Sequence, residues 1–169
     1  GTVISMKDFD DSEWIAATVP GTVLTSYVNI GAVPDPNHAD NLLHISDSYF
    51  NSDFWYRKEF DIRKTDGKRM FLEFDGINWK AEVYFNGAYL GCIKGAFTRG
   101  RFDISKLATD GINTLAVKII KNANIGAVKE KNEENTGING GILGADNPTF
   151  HASIGWDWIS TIRGRNIGI

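Results

Sequence analysis

Residues 70–91 constrain the fold most strongly, because their pattern predicts strands that meet at a tight turn. From position 80 to position 85, apolar and polar side chains alternate, which is typical of a strand with one buried and one solvated face. The apolar positions are Ala81, Val83 and Phe85. Asn86-Gly87 supplies two residues that tolerate positive φ angles, as a type I′ hairpin turn requires. The return strand then covers residues 88–93.

Other strands are predicted on both sides of this hairpin. Met70, Leu72 and Phe74 form a strand that Asp75-Gly76 ends. We expect this strand and the two strands of the hairpin to be neighbours in one antiparallel sheet, since three strands can be stable together. Further strands are predicted over Phe54–Ile62 and over residues 101–104 and 114–120.

Helix signals are sparse in this chain. One short helix is predicted over residues 23–30, where Thr22 would cap the N-terminus and Gly31 would end the helix. No long amphipathic helix separates the predicted strands. Short strands with this spacing favour a β-sandwich over an α/β fold, so the sequence predicts an all-β domain.

Two stretches lack any clear periodicity. Pro34-Asp35-Pro36 begins an extended loop that is predicted to continue to Asp53. Residues 121–150 are rich in Asn, Gly, Lys and Glu and are predicted to form a second, longer loop. Connections beyond about 12 to 15 residues are uncommon in compact domains and are often functional or mobile.

The charge and hydropathy of the chain exclude two classes of partner. The formal net charge is -3, and the basic residues are scattered, so no basic stripe could follow a phosphate backbone. No apolar run approaches the roughly 18 residues of a membrane span. We therefore expect neither a nucleic acid nor a membrane as partner.

The aromatic content of the chain fits two interpretations. Aromatic residues make up 12% of the chain and include five Trp. This content suits a β-sandwich core and also a sugar-binding surface, where rings stack on pyranose C–H faces.

The single cysteine, Cys92, cannot form an intrachain disulfide. We interpret Cys92 as a small buried hydrophobic residue.

The sequence contains no recognisable motif for catalysis or for cofactor binding. His38, His44 and His151 lack the spacing of a metal site, and no glycine-rich phosphate loop is recognisable. Glycoside hydrolysis needs two carboxyl groups about 5 to 10 Å apart, and the sequence identifies no such pair. Asn132-Glu133 resembles a glycosidase acid/base but lies in the charged loop, where a solvated position is expected. We predict no catalytic residue, no metal and no cofactor in this chain.

One acidic residue has an unusual context. Asp157 lies between Trp156 and Trp158 and is followed by Arg163 and Arg165. It could pair with an arginine and hold the loop together. It could instead accept hydrogen bonds from sugar hydroxyls beside an aromatic platform, because charged hydrogen bonds contribute about 1.5 to 3 kcal/mol. The residues alone leave both interpretations open.

Several short motifs, taken in order, carry a resemblance to a known family. They are Val19-Pro20-Gly21-Thr22-Val23-Leu24, Pro34-Asp35-Pro36 with Asp40-Asn41-Leu42, Phe54-Trp55-Tyr56-Arg57-Lys58-Glu59-Phe60, Phe74-Asp75-Gly76-Ile77-Asn78, Val83-Tyr84-Phe85-Asn86-Gly87, Gly155-Trp156-Asp157-Trp158 and Gly168-Ile169. In this order they resemble the N-terminal domain of family 2 glycoside hydrolases. The Pro-Asp-Pro and Gly-Trp-Asp-Trp motifs are most similar to the exo-β-glucosaminidase and β-mannosidase branch.

The resemblance implies a fold and a role. It implies that residues 1–169 form one galactose-binding-domain-like jelly roll, cut at its C-terminus from a larger multidomain hydrolase that is periplasmic or extracellular. The domain would pack on a catalytic barrel that carries both catalytic glutamates, so this chain alone would be inactive. It would contact the terminal sugar through Asp157, Trp156, Asp40 and Asn41.

The sequence differs from the family pattern at one place, and two alternative functions remain open. Where that branch often has an aromatic pair after Pro-Asp-Pro, this chain has Asn37-His38-Ala39, which affects the identity of the sugar. The alternatives are a free-standing carbohydrate-binding module and a structural domain that supports the barrel without touching sugar.

Overall fold

The computed structural model describes residues 1–123, 126–128, 133–134, 141–143 and 167–169. Its helices are α1 (Val23–Asn29), α2 (Asn41–His44) and a 3-10 helix (Asp47–Phe50). Its strands are β1 (Phe54–Ile62), β2 (Phe71–Phe74), β3 (Lys80–Phe85), β4 (Ala88–Lys94), β5 (Gly100–Asp103), β6 (Gly111–Ile119), β7 (Gly126–Val128) and β8 (Gly141–Leu143). The backbone packs into two compact units: the sandwich unit, Gly1–Trp14 with Asp53–Ile120, and the loop unit, Ile15–Ser52 with Lys121–Ile169.

The larger sheet of the sandwich unit has the antiparallel order β1-β6-β3-β4. The predicted hairpin is confirmed: Phe85 pairs with Ala88, and Asn86 and Gly87 have φ angles of 48° and 81°. The strand predicted over Phe54–Ile62 has these bounds in the structure. The strands predicted at 101–104 and 114–120 are β5 and β6, with bounds shifted by one to three residues.

The expected three-stranded neighbourhood is wrong. β2 pairs with β5 in a second sheet, and the neighbours of β3 are β4 and β6. β6 can occupy the centre of the large sheet because Thr114 and Ala116 are buried on one of its faces and Val117 and Ile119 on the other. A strand that is apolar or small on both faces is most stable between two others.

The core of the sandwich unit lies between its two sheets. Phe85, Ile104 and Ala108 are buried there. The partly buried residues packed against them are Phe60, Ile62, Met70, Leu72, Leu90, Leu107 and Leu115. Because these residues come from both sheets, the predicted all-β sandwich is confirmed for this unit.

A buried polar network ties the hairpin turn to the start of β6. The side chain of Asn113 is fully buried. Its Oδ1 accepts from Asn86 Nδ2 at 2.8 Å and from the Thr109 amide at 2.9 Å, while its Nδ2 donates to the carbonyls of Thr109 and Gly111 at 2.7 and 2.8 Å. Asn86 Oδ1 in turn accepts from the amide of Thr114 at 2.9 Å. Each polar atom of the Asn113 amide is therefore satisfied, as a buried polar group requires.

The N-terminal segment lies against the outer face of the large sheet and is held by Arg57. This guanidinium, only 4% exposed, donates to the carbonyls of Ile4 and Met6 and to the carboxylates of Asp11 and Glu59. The donor to acceptor distances are 3.1, 3.0, 2.6 and 2.5 Å respectively. The three acceptors from residues 4, 6 and 11 fix the path of the segment, and Glu59 on β1 completes the set around the cation.

Replacing Arg57 with Ala is expected to lower the free energy of unfolding by about 2 kcal/mol, because charged hydrogen bonds at a buried group are lost. The cost stays below that of a fully buried ion pair, since Asp11 and Glu59 are about 40% exposed. Lys58→Ala is the matched control, because Lys58 is the exposed neighbour on β1. Denaturant unfolding measures both variants, and an Arg57→Ala cost no larger than that of the control would contradict the assignment.

The loop unit contains the predicted helix and two elements that the sequence did not predict. α1 begins after Thr22, whose Oγ1 accepts from the Thr25 amide at 3.1 Å, so the predicted cap is confirmed. The expectation of an extended loop up to Asp53 is wrong in part, because α2 and the 3-10 helix interrupt it. Both are single turns of four residues, which are too short to show a helical period.

Residues 167–169 form an antiparallel bridge with the segment that precedes α1. The Gly21 amide donates to the Ile169 carbonyl at 2.9 Å, and the Val23 amide donates to the Ile167 carbonyl at 2.9 Å. A Cβ atom on Gly168 would lie 2.2 Å from the Gly21 carbonyl oxygen, so only glycine allows this approach. Two motifs of the family resemblance are therefore in direct contact.

Two further expectations need correction. Cys92 is exposed rather than buried, because β4 points Ile93 into the sandwich and the neighbouring Cys92 therefore faces outward. Residues 121–150 are not loop throughout, since β7 pairs with β8 within them. Three-residue strands are too short for an alternating pattern to reveal them.

Candidate sugar-contacting site

The loop from Pro34 to His44 is ordered by hydrogen bonds among its own polar groups. Asp35 Oδ1 accepts from the Asn37 amide at 2.9 Å and from Asn37 Nδ2 at 3.1 Å. The Asp35 carbonyl accepts from the His38 amide at 3.2 Å and from Asn41 Nδ2 at 2.9 Å. Such bonds to the backbone are characteristic of Asx turns. The Asn41 side chain therefore closes the loop on Asp35.

Asp40 lies at the start of α2, beside Asn41. Its carboxylate makes no capping bond to the helix, and its Oδ2 lies 3.3 Å from His44 Nε2. The side chain of Asp40 is 70% exposed. Its oxygens thus have access to solvent and can accept hydrogen bonds from a ligand.

An aromatic cluster also belongs to the loop unit. The Tyr27 ring lies 5.4 Å from Tyr49 and 6.2 Å from Phe50, measured between centroids. Phe50 is buried, whereas Tyr49 is 42% exposed. Burial, and to a smaller extent Tyr49, raises the pKa of the Tyr27 hydroxyl. Sequence reasoning gave Tyr49 no role, although adjacent aromatics in a polar run were a signal.

The four predicted contact residues differ in how far the structure describes them. Asp40 and Asn41 are adjacent, at the beginning of α2. Asp157 and Trp156 lie outside the described residues. The structure therefore brings the first two together and leaves the other two as predictions.

Neither a grouped set of metal ligands nor a membrane-spanning helix occurs within the described ranges. There, no three His, Cys, Asp or Glu side chains are grouped as a metal ion would require. None of the helices found in those ranges has the length and apolar character needed to cross a bilayer.

Nearly the whole chain matches the profile of one known family. A sequence profile described as glycosyl hydrolase 2 galactose-binding domain-like matches residues 5–169. The chain therefore belongs to this family, and its fold is the galactose-binding-like jelly-roll β-sandwich that the resemblance implied.

Individual curated proteins and solved structures are similar to this chain. The chain is 38% identical over 165 residues to the mannosylglycoprotein endo-β-mannosidase of Lilium longiflorum, covering 92% of this chain and 16% of the relative. It is 28% identical over 170 residues to the exo-β-D-glucosaminidase of Streptomyces avermitilis, covering 98% and 16%. The exo-chitosanase CsxA of Amycolatopsis orientalis, solved with PNP-β-D-glucosamine, superposes with a TM-score of 0.67 at 25% identity, covering 85% of this chain and 18% of that structure.

These comparisons confirm the predicted similarity to the exo-β-glucosaminidase and β-mannosidase branch. The chain spans 16% of the length of both curated relatives.

Proposed function

We propose that this chain is the non-catalytic N-terminal sugar-binding domain of a family 2 exo-β-glycosidase. The observation that carries the proposal is the pre-ordered turn of Asp40 and Asn41. It presents an exposed carboxylate at a backbone position that Asn41 and Asp35 fix. Because the backbone of this turn is already ordered, its conformational entropy need not be lost when a sugar hydroxyl binds.

The wider organisation follows from the same proposal. Residues 1–169 form one domain that packs on a catalytic barrel elsewhere in the polypeptide and faces the terminal sugar. Asp157 and Trp156 supply a second acceptor and a stacking ring. The shares of the relatives' lengths support this arrangement, since most of each relative lies outside the matched region. Carbohydrate and the other domains are the partners, and the protein is periplasmic or extracellular.

Replacing Asp40 with Ala in the full-length enzyme is expected to lower kcat/KM for an aryl β-glycoside by about 5- to 10-fold, because a hydrogen bond of about 1 kcal/mol from a solvent-exposed carboxylate to the sugar is lost. His44→Ala is the matched control: it removes the side chain that lies 3.3 Å from the Asp40 carboxylate and leaves the carboxylate in place. Steady-state kinetics with both variants, checked for folding by circular dichroism, provide the test. Equal losses in the two variants would assign Asp40 a purely structural role.

A second candidate activity is suggested by the Lilium longiflorum relative, whose name describes an endo-acting β-mannosidase. An endo enzyme would need this domain to contact an internal sugar rather than a terminal one. Product analysis decides between them: digestion of a β-linked oligosaccharide to monosaccharide supports the exo proposal, and release of larger fragments supports the endo activity.

A further inference from the structure

Three aromatic rings form a continuous strip across the outer face of the large sheet. Trp55 lies on β1, Tyr84 on β3 and Tyr89 on β4. The Trp55 and Tyr84 rings are 5.7 Å apart between centroids, and the Tyr84 and Tyr89 rings are 5.2 Å apart. The inner-face neighbours Val83 and Phe85 are fully buried, so this aromatic strip points away from the core. The core therefore does not account for it.

The aromatic strip is accessible at its β4 end. Tyr89 is 55% exposed, and Trp55 and Tyr84 are half-buried. Gly1 lies against the Tyr84 ring and covers part of it. The Tyr89 ring is therefore the most accessible part of the aromatic strip, and Trp55 and Tyr84 keep only part of their surface exposed.

Charged groups lie beside the aromatic strip and largely compensate one another. On this face Trp55, Lys118 and Glu82 are register partners across three strands. Lys118 Nζ lies 2.7 Å from Asp53 Oδ2, and the Tyr84 hydroxyl donates to Glu82 Oε2 at 2.9 Å. Burial, and next the Glu82 carboxylate, raises the pKa of the Tyr84 hydroxyl.

This combination selects one class of ligand. A polyanion would meet the carboxylates of Asp53 and Glu82, and a purely apolar protein surface would remove water from the Lys118–Asp53 ion pair and from the Glu82 carboxylate, which costs free energy. A saccharide chain supplies C–H faces for the rings and hydroxyls that both donate and accept.

We propose that the aromatic strip Trp55, Tyr84 and Tyr89, with Glu82 and Lys118 beside it, is a second carbohydrate-binding surface that holds a β-linked saccharide chain. It rests on the proposed function, in that the parent enzyme acts on β-linked carbohydrate. It uses none of the residues assigned to the terminal sugar.

Replacing Tyr89 with Ala in the full-length enzyme is expected to weaken retention by soluble chitosan or soluble β-mannan in affinity electrophoresis by a factor on the order of 3 to 10. Tyr89→Phe keeps the ring and should bind as the parent does. Phe97→Ala is the matched control, because Phe97 is an exposed aromatic outside the aromatic strip, with 74% of its surface accessible. Retention of neither polysaccharide, or unchanged retention of the Tyr89→Ala variant, overturns the proposal.

Cys92 offers a readout that needs no mutation. It faces outward on β4, as the register partner of Glu82. Bound polysaccharide should slow alkylation of Cys92 by iodoacetamide at least about threefold by mass spectrometry, whereas an aryl monosaccharide should leave the rate unchanged. If Cys92 is unreactive without polysaccharide, another part of the polypeptide covers this face and the proposal fails.

Steady-state kinetics distinguish a failure of this proposal from a failure of the proposed function. Tyr89→Ala should leave kcat/KM for an aryl β-glycoside unchanged, whereas Asp40→Ala should lower it. Loss of polysaccharide retention without an Asp40 effect supports the second surface and contradicts the terminal-sugar contact. An Asp40 effect with normal retention of the Tyr89→Ala variant supports the terminal-sugar contact and contradicts the second surface.

Discussion

Replacing Asn113 with Ala is expected to lower the free energy of unfolding by about 3 kcal/mol, among the largest single-residue effects in the sandwich unit. The substitution removes a fully buried amide that satisfies polar groups of Asn86, Thr109 and Gly111. Each buried donor or acceptor left without a partner costs about 1 to 3 kcal/mol. The total stays near the lower end of the sum, because Thr109 lies at the surface and can bind water instead.

Two control variants isolate the cause. Ile112→Ala changes the preceding residue, which is 51% exposed, and should cost less than about 0.5 kcal/mol. Thr109→Val removes only the hydroxyl, whose contact with Asn113 Oδ1 is long at 3.4 Å, and should cost less than about 1 kcal/mol. Urea unfolding followed by tryptophan fluorescence measures all three.

A double-mutant cycle tests the network directly. Asn86→Gly removes the amide of Asn86 and keeps a residue that tolerates the φ angle of 48°. Combined with Asn113→Ala, it should cost less than the sum of the single substitutions, because the two side chains share a 2.8 Å hydrogen bond. Strict additivity would show that Asn113 acts only through the Thr109 turn.

The strands of the sandwich unit and the hairpin could be predicted from sequence because their signals are local. The alternation from position 80 to 85 and the Asn86-Gly87 turn depend on neighbouring residues alone. The pairing of β2 with β5 and the central place of β6 could not, since each strand had several possible partners far along the chain. The exposure of Cys92 follows once the orientation of β4 is known.

The candidate site, too, could be predicted only where its signals are local in the sequence. The motif around Asp40 and Asn41 was recognisable from sequence, but the hydrogen bonds that close the loop on Asp35 were not, because they depend on backbone turns. α2 was missed since its four residues fall short of a helical repeat. The aromatic strip was not foreseen because its three rings come from three strands, and only the sheet register brings them together.

Asp157→Ala is the substitution with the largest expected effect on activity. In the full-length enzyme we expect kcat/KM to fall by a factor on the order of 10 to 100, since a desolvated charged hydrogen bond of about 1.5 to 3 kcal/mol is lost. Asp157→Asn keeps the shape and one acceptor oxygen and should cost less. If Asp157 instead pairs with an arginine to hold its loop, stability falls and catalysis by the folded fraction does not.

The same residue should contribute little to binding by this chain alone. One charged hydrogen bond of about 2 kcal/mol and one aromatic contact of about 1 kcal/mol do not reach the roughly 4 kcal/mol of a millimolar complex. A monosaccharide is therefore expected to bind with a Kd in the millimolar range or weaker. Micromolar binding in a calorimetric titration would favour a free-standing carbohydrate-binding module.

The central claim is that this domain contacts the sugar without performing the chemistry. Its most direct test is the kcat/KM of the folded full-length Asp157→Ala enzyme with an aryl β-glycoside, compared with the unsubstituted enzyme at equal folded concentration. A fall of about 10- to 100-fold with unchanged stability is the predicted result. An unchanged kcat/KM would contradict the claim and leave Asp157 as part of the scaffold.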